Sequence, residues 1–198
     1  MGEVMADRLD RRAAVARLLA QRPHDLLVVT GLGSPSYDVM AAGDDPKNYY
    51  LWGAMGAAAM IGMGLAKAQP RASILVLTGD GEAMMGLGAL ATIATQPPSN
   101  LTIAVLDNGH FGETGMQASH AGMGIEIDKV AASMGFGWTG RIVDMAGVDD
   151  LRARLPARDG ARLAVLKINA ENAPRVLPSR DGVHIKNRFR AALGFLPN

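Results

Sequence analysis

At 198 residues the chain is long enough for one domain with a full-sized core. Hydrophobic residues make up 48%, charged residues 20%, and the formal net charge is +1, so the broad basic field that nucleic-acid binding requires is absent. There is no cysteine, which excludes disulfides, zinc-thiolate sites and iron–sulfur ligation within this chain.

Residues Met5–Ala20 place Leu9, Ala13, Ala16, Leu19 and Ala20 at helical spacing, with Pro23 beyond the expected end. Glu3, Asp7, Arg8, Asp10, Arg11, Arg12 and Arg17 in this stretch do not suit a signal peptide, so a cytoplasmic protein is expected. Leu26–Thr30 is a short apolar run that stops at Gly31 and reads as a buried strand. Ser34-Pro35 then offers an N-cap and a first-turn proline for a short helix towards Ala41, and Gly43–Pro46 is a turn.

Tyr49–Leu51 suits a strand, and the Trp52–Gly56 loop leads into a small-residue helix ending about Ala68. The uncharged run from Asn48 to Ala66 is 19 residues long, yet Gly53, Gly56, Gly62 and Gly64 within it favour a buried helix over a membrane span. Ser73–Thr78 is the clearest strand. It ends at Gly79-Asp80-Gly81, and one helix is expected from there to about Thr95. Leu101–Leu106 is a further strand, ending at Asp107-Asn108-Gly109, and the stretch to Gly124 reads as mobile. A helix at Asp128–Met134, a strand at Gly137–Val143, a helix at Val148–Leu155, a strand at Leu163–Ile168 and a helix at His184–Leu193 complete the series.

Apolar strands alternating with helices imply a mostly parallel α/β sheet with helices on both faces, a doubly wound domain spanning residues 1–198. Ligands of such sheets bind beyond the carboxyl ends of the strands. Trp52–Gly56, Gly79–Glu82 and Asp107–Phe111 fall at those ends. The glycines let a backbone approach an anion, and the amides of Gly81 and Glu82 suit a phosphate. Asp80 is acidic at the same place, so a cation must stand between two negatives. Hard oxygen donors point to Mg²⁺, with Asp80 giving one, the Asn108 side chain a second, and a main-chain carbonyl just after it a third.

Gly79-Asp80-Gly81, the 26 residues 82–107, and then Asn108-Gly109-His110-Phe111-Gly112 resemble the signature of thiamine diphosphate enzymes. Asp107 departs from it, since many members carry a second asparagine there; the metal ligand is the later residue of the pair, so Asn108 keeps that role. Trp52-Gly53-Ala54-Met55-Gly56 resembles the family's loop under the aminopyrimidine. The resemblance implies that Met55 wedges the cofactor into its bent form and that the Gly53 carbonyl accepts from its 4′-amino group. It also implies that Gly53, Ala54, Met55, Gly79, Asp80, Gly81, Glu82, Asn108, His110, Phe111 and Gly112 hold thiamine diphosphate, with Mg²⁺ on Asp80, Asn108 and His110.

The family needs a glutamate at the pyrimidine N1′, carried on a separate pyrimidine-binding domain. One α/β domain uses up this chain, so that domain is expected on a partner subunit, in an α₂β₂ assembly. Val29–Tyr37, the Trp52 loop and Asp107–Gln117 are similar to the short subunits of sulfopyruvate decarboxylase and to phosphonopyruvate decarboxylase. Those enzymes remove CO₂ from a pyruvate with an anionic group on C3 and release an aldehyde. Glu113 is the candidate proton relay. Thr114, Gln117 and His120 border the same region, and Arg180 and Lys186 are candidate attractors for an anionic substrate.

Three other readings stay open at this point. Gly31-Leu32-Gly33-Ser34-Pro35-Ser36 lacks the third glycine of a dinucleotide-binding turn. A 2-oxoacid oxidoreductase or dehydrogenase subunit would share the cofactor but pass electrons onward. A non-catalytic assembly module would keep the fold without needing Asp80 and Asn108.

Overall fold

The computed structural model describes residues 8–196, so the expected helix start at Met5 lies outside the described residues. Helix α1 (Arg11–Leu19) begins where the Asp10 carboxylate accepts from the Ala13 amide at 2.7 Å, a side-chain cap that satisfies one of the free first-turn donors. Strand β1 (Leu26–Thr30) follows, then α2 (Ser34–Ala42), which carries proline in its first turn behind Gly33 at φ 78°. Next come β2 (Asn48–Tyr50), α3 (Ala58–Ala68) and β3 (Ser73–Gly79).

The single helix expected after the Gly-Asp-Gly turn is two, α4 (Asp80–Met85) and α5 (Gly88–Thr95), with a break at Gly86-Leu87. Close packing accounts for the glycine at this break: a Cβ on Gly86 would stand 2.0 Å from the Gly56 carbonyl oxygen. Strand β4 (Leu101–Asp107) leads into a short antiparallel hairpin, β5 (His110–Phe111) and β6 (Gln117–Ala118), inside the stretch that reads as mobile in sequence. The chain closes with α6 (Ile127–Met134), β7 (Trp138–Ile142), α7 (Met145–Arg154), β8 (Arg162–Lys167) and α8 (Gly182–Ala192).

The main sheet has six strands in the order β2-β1-β3-β4-β8-β7, and every pairing is parallel. Its four inner strands read as near-continuous apolar runs because each face is covered. Successive residues point to opposite sides, so Val28, Leu75, Leu77, Ala104 and Leu166 pack with α1, α2 and α7. Leu27, Val76, Ile103 and Val105 pack with α3, α5 and α6 on the other side. Burying each of these valine, leucine and isoleucine side chains contributes roughly 1.5–3 kcal/mol. Helix α3 lies so close to the sheet that a Cβ on Gly62 would be 2.2 Å from Val76 Cγ2. Among the described residues no helix is long and apolar enough to cross a membrane.

Candidate active site

Strands β1, β3 and β4 are adjacent and parallel, so the turns that follow them open on one edge of the sheet. Between them lies a cavity of about 150 Å³. Met55, Gly79, Asp80, Gly81, Glu82, Asn108, His110, Phe111, Gly112, Glu113 and Thr114 all line it. Of the expected cofactor residues, Gly53 and Ala54 alone stand outside it, in the exposed loop after β2.

Asp80 and Asn108 extend neighbouring strands, in which Gly79 pairs with Leu106. Asp80 is 2% exposed and its carboxylate accepts a hydrogen bond from the Ser119 hydroxyl. Burial pushes its carboxyl above the usual aspartate range, and Asp107 pushes the same way, while the Ser119 bond opposes both. A buried carboxylate left in this state favours a cation. The Asn108 side-chain oxygen accepts from the His110 amide at 2.9 Å, which curls the main chain so that the turn faces Asp80 across the cavity. Carboxylate, amide and main-chain carbonyl oxygens fit Mg²⁺. Among the described residues no group of three His, Cys, Asp or Glu side chains could hold a metal by itself.

Asp107, the departure from the paired asparagines, is accommodated by Lys167 at the end of β8. Its carboxylate takes Lys167 Nζ at 2.6 Å and the Gly109 amide at 2.9 Å. The ring of Phe111 covers Gly81 so tightly that a Cβ there would be 2.4 Å from Phe111 Cε1.

Besides the amide expected to face the diphosphate, Glu82 brings a side chain that is buried beneath the β1–α2 turn. Its carboxylate accepts from Thr78 Oγ1 at 3.0 Å, and a Cβ on Gly31 would meet it at 1.8 Å. Burial raises its carboxyl above the usual glutamate range. The Thr78 hydroxyl and then the amides of Ala58, Gly56 and Leu32 favour the ionised form, but no amide makes a well-formed bond to Oε1, so burial wins.

In the Trp52–Gly56 loop, Ala54 has φ 55°, a left-handed conformation that costs a residue with a Cβ about 1 kcal/mol. Met55 is 39% exposed and sits on the boundary between the cavity and a shallow groove edged by Met60 and Met85. The remaining candidates separate. Glu113 Oε2 accepts from Arg175 at 2.8 Å. Thr114 and Gln117 bond one another across the hairpin, at 2.9 Å from Gln117 Nε2 to the Thr114 carbonyl. His120 is exposed, Arg180 lies 5.3 Å over the Trp52 ring, and Lys186 is exposed on α8. Ser119, Lys167 and Arg175 carry no motif in the sequence; only Lys167, a lone charge closing an apolar strand, left a signal.

The family described as thiamine pyrophosphate enzyme, C-terminal TPP binding domain, matches residues 36–166. The chain belongs to this family. Thiamine pyrophosphate is thiamine diphosphate under its other name, and the matched span includes Asp80, Asn108 and the Trp52–Gly56 loop. The chain is 38% identical to sulfopyruvate decarboxylase subunit beta of Methanothermobacter thermautotrophicus, over 91% of this chain and 94% of that one. It is 36% identical to phosphonopyruvate decarboxylase of Streptomyces viridochromogenes, over 94% of this chain and 47% of that one, so it spans about half the length of that relative. In fold it is similar to the thiamine diphosphate-dependent 4-hydroxybenzoylformate decarboxylase of Rhodococcus jostii, with a TM-score of 0.67 and 21% identity over 87% of this chain and 35% of that one.

Proposed function

We propose that this thiamine diphosphate-family chain is the diphosphate-binding subunit of a Mg²⁺-dependent cytoplasmic decarboxylase acting on a 3-substituted pyruvate of the sulfopyruvate or phosphonopyruvate type. The observation that carries the reading is the pair Asp80 and Asn108, set at the ends of adjacent strands on either side of one cavity. The bound cofactor supplies a carbanion for the keto carbon and an electron sink for the pair left when CO₂ departs.

The chain's own residues then have separable tasks. Asp80, the Asn108 side chain and the His110 carbonyl hold the metal. Gly79, Gly81, Glu82, Phe111 and Gly112 shape the wall that receives the diphosphate, with the Gly81 and Glu82 amides as donors. Gly53 offers its carbonyl and Met55 its side chain to the aminopyrimidine, from a loop whose shape Ala54 fixes. Such placement of reacting groups is worth effective molarities of about 10⁵–10⁸ M. Glu113, at the mouth, moves the proton that replaces CO₂.

The exposure of Gly53, Ala54 and Met55, together with the apolar rim of Met60 and Met85, supports a second subunit seated there. That partner carries the pyrimidine-binding domain and the glutamate for N1′. The relative named as a beta subunit supports the same arrangement. The test is turnover by the complex isolated with its partner. CO₂ and aldehyde formed from sulfopyruvate or phosphonopyruvate without an electron acceptor is the expected result. Turnover that requires an acceptor would contradict the reading and favour an oxidoreductase.

A further inference from the structure

We infer that Arg175 receives the anionic group on C3 of the substrate and sets the preference for anionic over unsubstituted 2-oxoacids. The inference rests on the decarboxylase reading above and names the residue that reads the substrate class.

The segment between β8 and α8 has no regular secondary structure and runs from Ile168 in the cavity wall to the Trp52 loop. It is pinned on both sides of Arg175. Before it, Arg12 Nη2 donates to the Pro174 carbonyl at 2.7 Å, and Asn172 Nδ2 lies 3.7 Å from Met116 Sδ of the hairpin. After it, Trp52 Nε1 donates to the Ser179 carbonyl at 2.6 Å. Asn172 also lies against Gly112, where a Cβ would be 3.2 Å from its side-chain oxygen. Anchors on α1, the hairpin and the Trp52 loop therefore hold the segment beside the cavity wall.

Arg175 projects from this segment to Glu113, a residue of the cavity wall, at 2.8 Å, and its guanidinium carbon stands 5.8 Å from the centre of the Tyr37 ring. The other cations nearby have partners of their own, Arg8 on the carbonyls of Asn108 and Ile168 at 3.4 Å. Lys167 neutralises buried Asp107, and Arg11 and Arg12 both pair with the fully buried Asp38. Arg180 lies over Trp52. Arg175 and Glu113 are 61% and 38% exposed, and an ion pair this open to water holds weakly. A sulfonate or phosphonate can take the carboxylate's place at little cost and offers the guanidinium two oxygens at once. The exchange would also release Glu113 beside the reacting carbon. Pyruvate, whose one carboxylate is the group lost as CO₂, carries no second anion on C3 with which to make it, and a site that hydrogen-bonds one substrate group discriminates against analogues lacking that group.

The test uses the complex isolated with its partner and loaded with thiamine diphosphate and Mg²⁺, carrying Arg175→Gln or Arg175→Lys. For sulfopyruvate, Arg175→Gln is expected to lower kcat/KM by about 10–100-fold, the loss of a charge-assisted hydrogen bond, mainly through KM. The preference for sulfopyruvate over pyruvate should fall by a similar factor, with Arg175→Lys between the two. Calorimetry with the unreactive dianion 3-sulfopropanoate should show the same loss of affinity, with propanoate unaffected. Equal losses on sulfopyruvate and pyruvate, or dianion binding that ignores Arg175, would overturn the assignment. A complex that binds the dianion through Arg175 but releases no CO₂ would keep the anion site and overturn the decarboxylase reading.

Discussion

Ser119 ties Asp80 to the loop that carries Asn108: its hydroxyl donates to the Asp80 carboxylate while its amide donates to the Gly109 carbonyl at 2.8 Å. The Gly122 amide donates back to the same hydroxyl at 3.2 Å. The two strand ends that flank the metal position are therefore held by one residue from the hairpin region, in addition to the sheet.

Removing that hydroxyl should loosen the metal without unfolding the chain. Groups that orient metal ligands typically account for 10–100-fold in affinity. Ser119→Ala is expected to weaken Mg²⁺-dependent thiamine diphosphate retention by about that factor, read by Mg²⁺ titration of the assembled complex. Retention equal to wild type would show that Asp80 is oriented without Ser119.

Asp80 should be costly to the chain when no cation is bound, because it is buried and its carboxyl sits above the ordinary range. Asp80→Asn keeps an acceptor for Ser119 and removes the charge. Without Mg²⁺ this variant should melt at or above wild type, and with Mg²⁺ and cofactor the order should reverse. Asp80→Ala should abolish Mg²⁺-dependent retention altogether. Full retention by Asp80→Ala would remove the metal assignment.

Lys167 neutralises Asp107 at the back of the same loop. Lys167→Met should destabilise the protein by about 1–3 kcal/mol. Losing the partner of a fully buried charge costs more, and Lys167 is partly screened by water. Adding Asp107→Asn, which restores the paired asparagines, should recover most of the loss. Chemical denaturation of the single and double variants measures the coupling.

Met55 and Gly86 test the Trp52–Gly56 loop in two ways. Met55→Gly should leave diphosphate binding largely intact and slow proton exchange at C2 of the bound cofactor. Exchange at the full rate would exclude the wedge role. Gly86→Ala forces a methyl against the Gly56 carbonyl, a backbone neighbour that cannot rotate away. It should cost about 1–3 kcal/mol of stability and slow the same exchange.

The sheet was legible because its inner strands are buried on both faces and so appear as apolar runs broken by Gly31, Gly79 and Asp107. The Asp80–Asn108 pair was legible for the same reason: the two residues follow apolar strands joined by one helical stretch, which makes neighbouring parallel strands. The break at Gly86 was not, since the glycine answers to Gly56, thirty residues earlier in the chain. Nor was Ser119, which reaches Asp80 only because β5 and β6 fold a polar, glycine-rich stretch back on itself. Among the cations of the closing segment, sequence position pointed to Arg180 and Lys186, whereas the geometry turns Arg180 onto Trp52, leaves Lys186 exposed on α8 and sets Arg175 on Glu113 of the cavity wall.

The most direct measurement is native mass spectrometry of the complex recovered with this chain from its host. A partner chain present with thiamine diphosphate and Mg²⁺, the cofactor lost together with the partner or with Asp80→Ala, is the expected result. An assembled complex that takes up no thiamine diphosphate, or that keeps it unchanged with Asp80→Ala, would contradict the account.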